Sequence, residues 1–198
     1  MPIDSPRFQQ AIARFDAANA ADPNQEFWQG AEYPKELLYS QRMAGWLQRF
    51  APDASEALRL AVAAQHIRRW ESPRRAYPEG KAGYKAWRSN LTRFHAETAG
   101  EILADVGYDA ATIRRVQGLI RKEHLKRDAE AQCLEDVACL VFLESYFADF
   151  SQKHDEAKLI DILQKTWKKM SPAGHAAALG LALPAGTREI VEKTLAGG

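Results

Sequence analysis

The chain lacks any apolar stretch long enough to cross a bilayer, and its opening residues, MPIDSPRFQQ, hold no apolar run of the kind a secretory leader needs. Cysteine is scarce. Cys133 and Cys139 lie in one apolar helical run, where they read as small core residues rather than a disulfide, which fits a reducing compartment. An excess of one charge is also missing: 27 basic side chains face 26 acidic ones, for a net charge of +1. That balance argues against a general membrane-surface or extended nucleic-acid binder, while leaving room for local patches. Strand alternation, internal repeats, a Gly-rich phosphate loop and a nucleophile elbow are all absent from the pattern. With 198 residues, 46% of them hydrophobic, the expectation is a cytoplasmic, all-α protein forming a single helical domain over residues 1–198.

Helical periodicity and end signals divide the chain. Asp4 or Ser5 caps a first helix running to about Ala20, with Pro6 just inside it. A linker with Phe27, Trp28 and Tyr33 is expected to pack across the body. Pro34 opens a second helix, whose Tyr39, Met43, Trp46, Leu47 and Phe50 form a buried stripe. Ser55 or Asp53 caps a third helix running to about Trp70, and a fourth runs from near Gly80 to about Val106, ended by Gly107 as a left-handed cap. Asp109 caps a fifth. A charged connector leads to a long apolar sixth helix, about Ala131 to Phe150. Glu156 to Met170, a short helix begun by Ser171-Pro172, and a last piece from Pro184 complete the chain. His154 and His175 fall outside the pattern and are expected to be exposed.

The chemistry is concentrated on the inner faces. His66, His95, His124 and Asp136 each continue the apolar line of a different expected helix. Buried polar groups demand partners, and mutual proximity is the simplest way to supply them. Neutral imidazoles with a carboxylate also suit a transition metal. Residue type alone leaves a metal site and a hydrogen-bonded acid–base cluster both open.

Order and spacing resemble the HD-domain superfamily, whose best-known members are helical metal-dependent phosphohydrolases. The resemblance runs through Tyr39-Ser40-Gln41-Arg42-Met43-Ala44, Leu60 to Ile67, Phe94-His95-Ala96-Glu97, Ile120 to His124, and Leu134-Glu135-Asp136-Val137-Ala138. Tyr39 stands where the family places its first histidine, and Gln65-His66 replaces its His-Asp pair. The resemblance implies an HD-like helical bundle with its core over 33–150, flanked by extensions at 1–32 and 151–198. It also implies a divergent site with a divalent metal on His66, His95, His124 and Asp136, the four residues expected to be catalytic. The motifs HIRRWESPR, YKAWR, RFHAE, LEDVACLVFLE and KTWKKMSPAGH resemble, in addition, a family described only as a domain of unknown function.

Immediately after His66 comes a basic segment. Arg68, Arg69, Arg74 and Arg75 are followed by Lys81, Lys85, Arg88 and Arg93, with only Glu71 and Glu79 among them. Guanidinium forks match phosphate geometry. Tyr77, Tyr84, Trp70 and Trp87 interleave with them and can stack on a base or on the arginines. Arg68, Arg69, Arg74, Arg75, Tyr77, Arg88 and Lys122 are therefore the expected substrate contacts. Three readings stay open: a phosphohydrolase acting on a phosphorylated small molecule or nucleotide, a non-catalytic sensor of such a metabolite, or a structural protein whose polar centre is a satisfied core network. A homodimer is compatible with each.

Overall fold

A computed structural model describes residues 4–183 together with Arg188, Glu189 and Val191. The expected final piece from Pro184 lies largely outside the described residues. Ser5 begins helix α1 (Pro6–Ala20): its hydroxyl accepts from the Phe8 amide at 3.1 Å, and Pro6 sits where a missing N–H costs nothing. Phe8, Ala11, Phe15 and Asn19 recur at three and four and are the buried face.

The linker that follows is not irregular. It forms an antiparallel hairpin, β1 (Gln25–Trp28) and β2 (Ala31–Pro34), the only sheet among the described residues. Gln29 (φ 47°) and Gly30 (φ 86°) turn it, the positive-φ pair that matches strand twist in a two-residue loop. Strand alternation puts neighbouring aromatics on opposite faces, so Phe27 is left 73% exposed. Trp28 meets Tyr33 edge-on at 5.7 Å and lies under the Arg42 guanidinium. The expected packing of the linker across the body thus holds in part: the hairpin lies against the helix that follows it, with Tyr33 half-buried and Phe27 left to solvent.

Helix α2 (Lys35–Phe50) starts after Pro34, which has no side chain able to cap it. Buried Asp22 serves instead, accepting from the Glu36 amide at 3.0 Å. Helix α3 (Glu56–Ala64) is capped by Ser55 and ends well before Trp70. Arg68 takes a left-handed conformation (φ 52°), with its amide donating to Asn19 Oδ1 at 3.1 Å. Two short tight turns, Arg69–Glu71 and Arg74–Ala76, carry the chain on.

Helix α4 (Gly80–Asp105) is the longest, and Gly107 (φ 85°) follows it as expected. Helix α5 (Ala110–Ile120) is capped by Asp109, and α6 (Ala129–Val141) by Asp128. The long sixth helix is interrupted by a π-helical turn at Phe142–Tyr146 before α7 (Phe147–Ser151). Helix α8 (Glu156–Trp167) and the Ser171-capped α9 (Pro172–Leu179) follow. The fold is predominantly all-α. Phe15, Leu38, Met43, Leu60, Ile67, Leu91, Leu103, Leu134 and Phe147 fill the core, drawn from α1 to α4, the turn after α3, α6 and α7.

The basic loop is held against α4 by specific contacts. Trp87 Nε1 donates to the Ser72 carbonyl at 2.8 Å, and the Tyr77 hydroxyl meets Ser72 Oγ and Asn90. Gly83 permits the approach, because a Cβ there would sit 1.8 Å from the Pro78 carbonyl oxygen. Gly100 does the same between α4 and α5, where Gln117 donates to the Ala96 carbonyl across the gap.

Candidate anion-binding site

The first turn of α2 and the turns that follow α3 bring Glu36, His66 and Arg69 together. Glu36 is buried; its Oε2 faces His66 Nδ1 at 3.5 Å and its Oε1 lies 3.9 Å from Arg69 Nε. Arg69 Nη1 donates to His66 Nε2 at 3.0 Å. A guanidinium can only donate, so Nε2 accepts and the ring proton sits on Nδ1, toward the carboxylate. Tyr39, one turn along α2, stacks on the imidazole with centroids 4.1 Å apart and planes 12° apart. Arg69 lies in turn over Trp87, 5.2 Å from its ring centroid.

His95, from α4, places its ring centroid 5.8 Å from that of His66. Its Nδ1 is 2.8 Å from the Ile67 carbonyl oxygen. A carbonyl only accepts, so Nδ1 carries the proton and Nε2 presents a bare lone pair. That atom is buried and meets no donor among the described residues, and the same holds for Gln65 Oε1.

Burial, reinforced by the charges of Arg69, Arg88 and Lys122, holds the His66 pKa well below the ordinary imidazole range. Burial first, then the neighbouring His66, pushes His95 down to about 3. Burial raises Glu36 to about 7, and Arg69 offsets this only in part. At neutral pH both rings are therefore uncharged and the carboxylate is only partly ionised. The positive charge belongs to the arginines and lysine.

His66, Gln65 and His95 border a small, partly open cleft whose other walls include Leu91, Thr92 and Ile120. Arg69, Arg88, Arg121 and Lys122 line the same cleft. Lys122 follows the end of α5 in a left-handed conformation (φ 55°) and is ion-paired with buried Glu135 of α6. Burial alone would raise the Glu135 pKa, but Lys122, with Lys169 and Arg88, holds it below its ordinary value. Arg121 pairs with Glu123 at 2.7 Å. Arg88 is exposed and makes no ion pair among the described residues.

The chain matches, over residues 9–191, the family described as "Domain of unknown function (DUF4202)". It belongs to that family. No curated protein and no solved structure matches it.

Of the four residues expected to share one centre, the structure brings together His66 and His95. His124 is exposed, because α5 stops at Ile120 and Lys122, His124 and Lys126 each adopt positive φ, which destroys the helical line that pointed His124 inward. Asp136 is buried, yet its carboxylate is engaged elsewhere. It accepts from Ser171 N at 2.8 Å, Ser171 Oγ at 2.5 Å and Gln132 Nε2 at 3.1 Å, and so pins the start of α9. Among the described residues no three His, Cys, Asp or Glu side chains are grouped to hold a metal ion.

Of the expected substrate contacts, Arg69, Arg88 and Lys122 line the cleft. Arg68 pairs with Glu71, Arg74 donates to the Tyr77 carbonyl at 2.9 Å, Arg75 is exposed, and the Tyr77 hydroxyl is engaged in the loop's own contacts. His154 is exposed as expected, whereas His175 is half-buried, stacked on Trp167. Sequence reasoning missed Glu36 and Arg121. Glu36 was reachable, since it precedes Tyr39 by three and Met43 by seven and so shares their stripe. Nothing in the local pattern marks Arg121.

Proposed function

We propose that this cleft binds the phosphate of a phosphorylated small molecule and that the protein is a binding or sensing module for it. The carrying observation is Arg88, an exposed guanidinium without an ion-pair partner among the described residues, on a cleft wall shared with Arg69, Arg121 and Lys122. Lys122 and Arg121 are paired with Glu135 and Glu123, so the uncompensated positive charge beside the two neutral imidazoles is that of Arg88 and the part of Arg69 that a partly protonated Glu36 leaves unneutralised. Bidentate contact from an arginine, together with exclusion of water by Leu91 and Ile120, suits a phosphate monoester. The resemblance to HD-domain phosphohydrolases points to the same ligand class.

The hydrolytic expectation ran through a metal on His66, His95, His124 and Asp136. Those residues do not fit a common ion: Arg69 already donates to His66 Nε2, and Asp136 is spent on Ser171 and Gln132. No reaction step is therefore routed through one. The test is calorimetric titration of inorganic phosphate and simple phosphate monoesters into the wild type and Arg88→Ala. Binding that weakens at least tenfold in the variant, and weakens with added salt, supports the reading. Undiminished binding by Arg88→Ala refutes it.

A further inference from the structure

The two unpartnered acceptors go further than the cationic rim does. His95 is 3% exposed and Gln65 8% exposed, and both border the cleft. The Ile67 carbonyl fixes the His95 proton on Nδ1, so Nε2 can only accept. Gln65 Oε1 is an acceptor by nature. Neither finds a donor among the described residues. Buried acceptors left unpaired cost free energy, and a ligand that supplies donors recovers it. A phosphate dianion has no donors to give, and it would be repelled by those lone pairs. The rim and the floor of the cleft therefore ask for different chemistry on one molecule.

We infer that the ligand is a hydroxylated phosphate monoester, a sugar or polyol phosphate, with its phosphate on Arg88 and Arg69 and hydroxyl groups donating to His95 Nε2 and Gln65 Oε1. This rests on the phosphate-binding reading above and names the ligand class for the same site. Specificity follows from the same geometry: a site with buried acceptors discriminates against an analogue that lacks the hydroxyls, because the acceptors then stay unpaired.

The experiment is isothermal titration of the full chain with glycerol 3-phosphate, ribose 5-phosphate and glucose 6-phosphate, each set against propyl phosphate. At least one of the three is expected to bind about tenfold or more tightly than propyl phosphate, the factor carried by roughly one net hydrogen bond. In His95→Phe and in Gln65→Leu the ratio of sugar-phosphate to propyl phosphate affinity should fall towards one. The ligand series on the wild type stands even where His95→Phe fails to fold. Equal affinity of all four ligands for the wild type overturns the inference and leaves phosphate binding intact. Loss of all binding in Arg88→Ala, with the hydroxyl preference present in the wild type, supports both. Absence of binding by any of the four to the wild type overturns both.

Discussion

Replacing Glu36 with glutamine should change how stability depends on pH, and the change can be worked from the cleft. In the folded chain Glu36 is raised from 4.5 to about 7, while His95 is lowered from 6.5 to about 3 and His66 also lies well below 6.5. Between pH 6.5 and 4.5 the unfolded chain gains a proton on His95 and the folded chain does not; His66 is shifted in the same direction. Stability contributed by these rings is present above pH 6.5 and is lost as pH falls. Glu36 acts in the opposite sense, since the folded state takes up its proton as pH falls through 7 and the unfolded state does so only near 4.5. In the wild type the Glu36 proton offsets that of His95 in this window. Without the Glu36 proton the loss of stability on acidification steepens by about 1.4 kcal/mol per pH unit, whatever His66 adds to both curves. Over two pH units the curves should diverge by roughly 3 kcal/mol. Arg69 loses its neighbour in the variant, but it keeps its charge throughout, so it shifts the curve without tilting it. Urea unfolding from pH 4.5 to 7 measures both slopes, and other carboxylates cancel in the comparison. Parallel curves would falsify the placement of a protonated Glu36 beside two neutral imidazoles.

Gly83→Ala forces a Cβ onto the Pro78 backbone, and unfolding should register a loss of about 1–3 kcal/mol. Phosphate binding should weaken with it, since the basic loop must move away from α4. Gly100→Ala meets the Gln117 side-chain amide at 2.2 Å; a similar or smaller loss is expected, relieved by a second change, Gln117→Ala, in a double-mutant cycle. Asp136→Ala removes the acceptor for Ser171 and should cost about 1–3 kcal/mol. Hydrogen exchange should speed up in α9 while phosphate affinity holds; lost affinity would place Asp136 at the cleft after all.

How much was legible in the sequence depends on the distance over which each feature is decided. Ser5, Ser55, Asp109 and Ser171 cap helices where local pattern put them, because capping involves residues only three or so apart. Periodicity also carried the all-α class and the inward direction of His95. The hairpin was hidden, since its strands are four residues each and its turn, Gln29-Gly30, is a weak version of the usual signal. The connector after Ile120 was hidden too: positive φ at Lys122, His124 and Lys126 is uncommon for such residues, and helical spacing extrapolated through it gave His124 the wrong side.

What the chain alone determined was its inventory: helices with most of their starts, an inward His95 on one of them, His66 near the end of another, and a local surplus of arginine after His66. Which of those groups meet was decided by packing. Asp136 found Ser171, thirty-five residues on, and not an imidazole. Glu36 found His66 because Asp22 fixes the start of α2, and Arg121 and Lys122 reached the cleft only because α5 packs on α3 and α4. A buried polar group announces in sequence that it needs a partner. The partner's identity is set by contacts between distant segments, where shape and burial decide and local spacing has no hold.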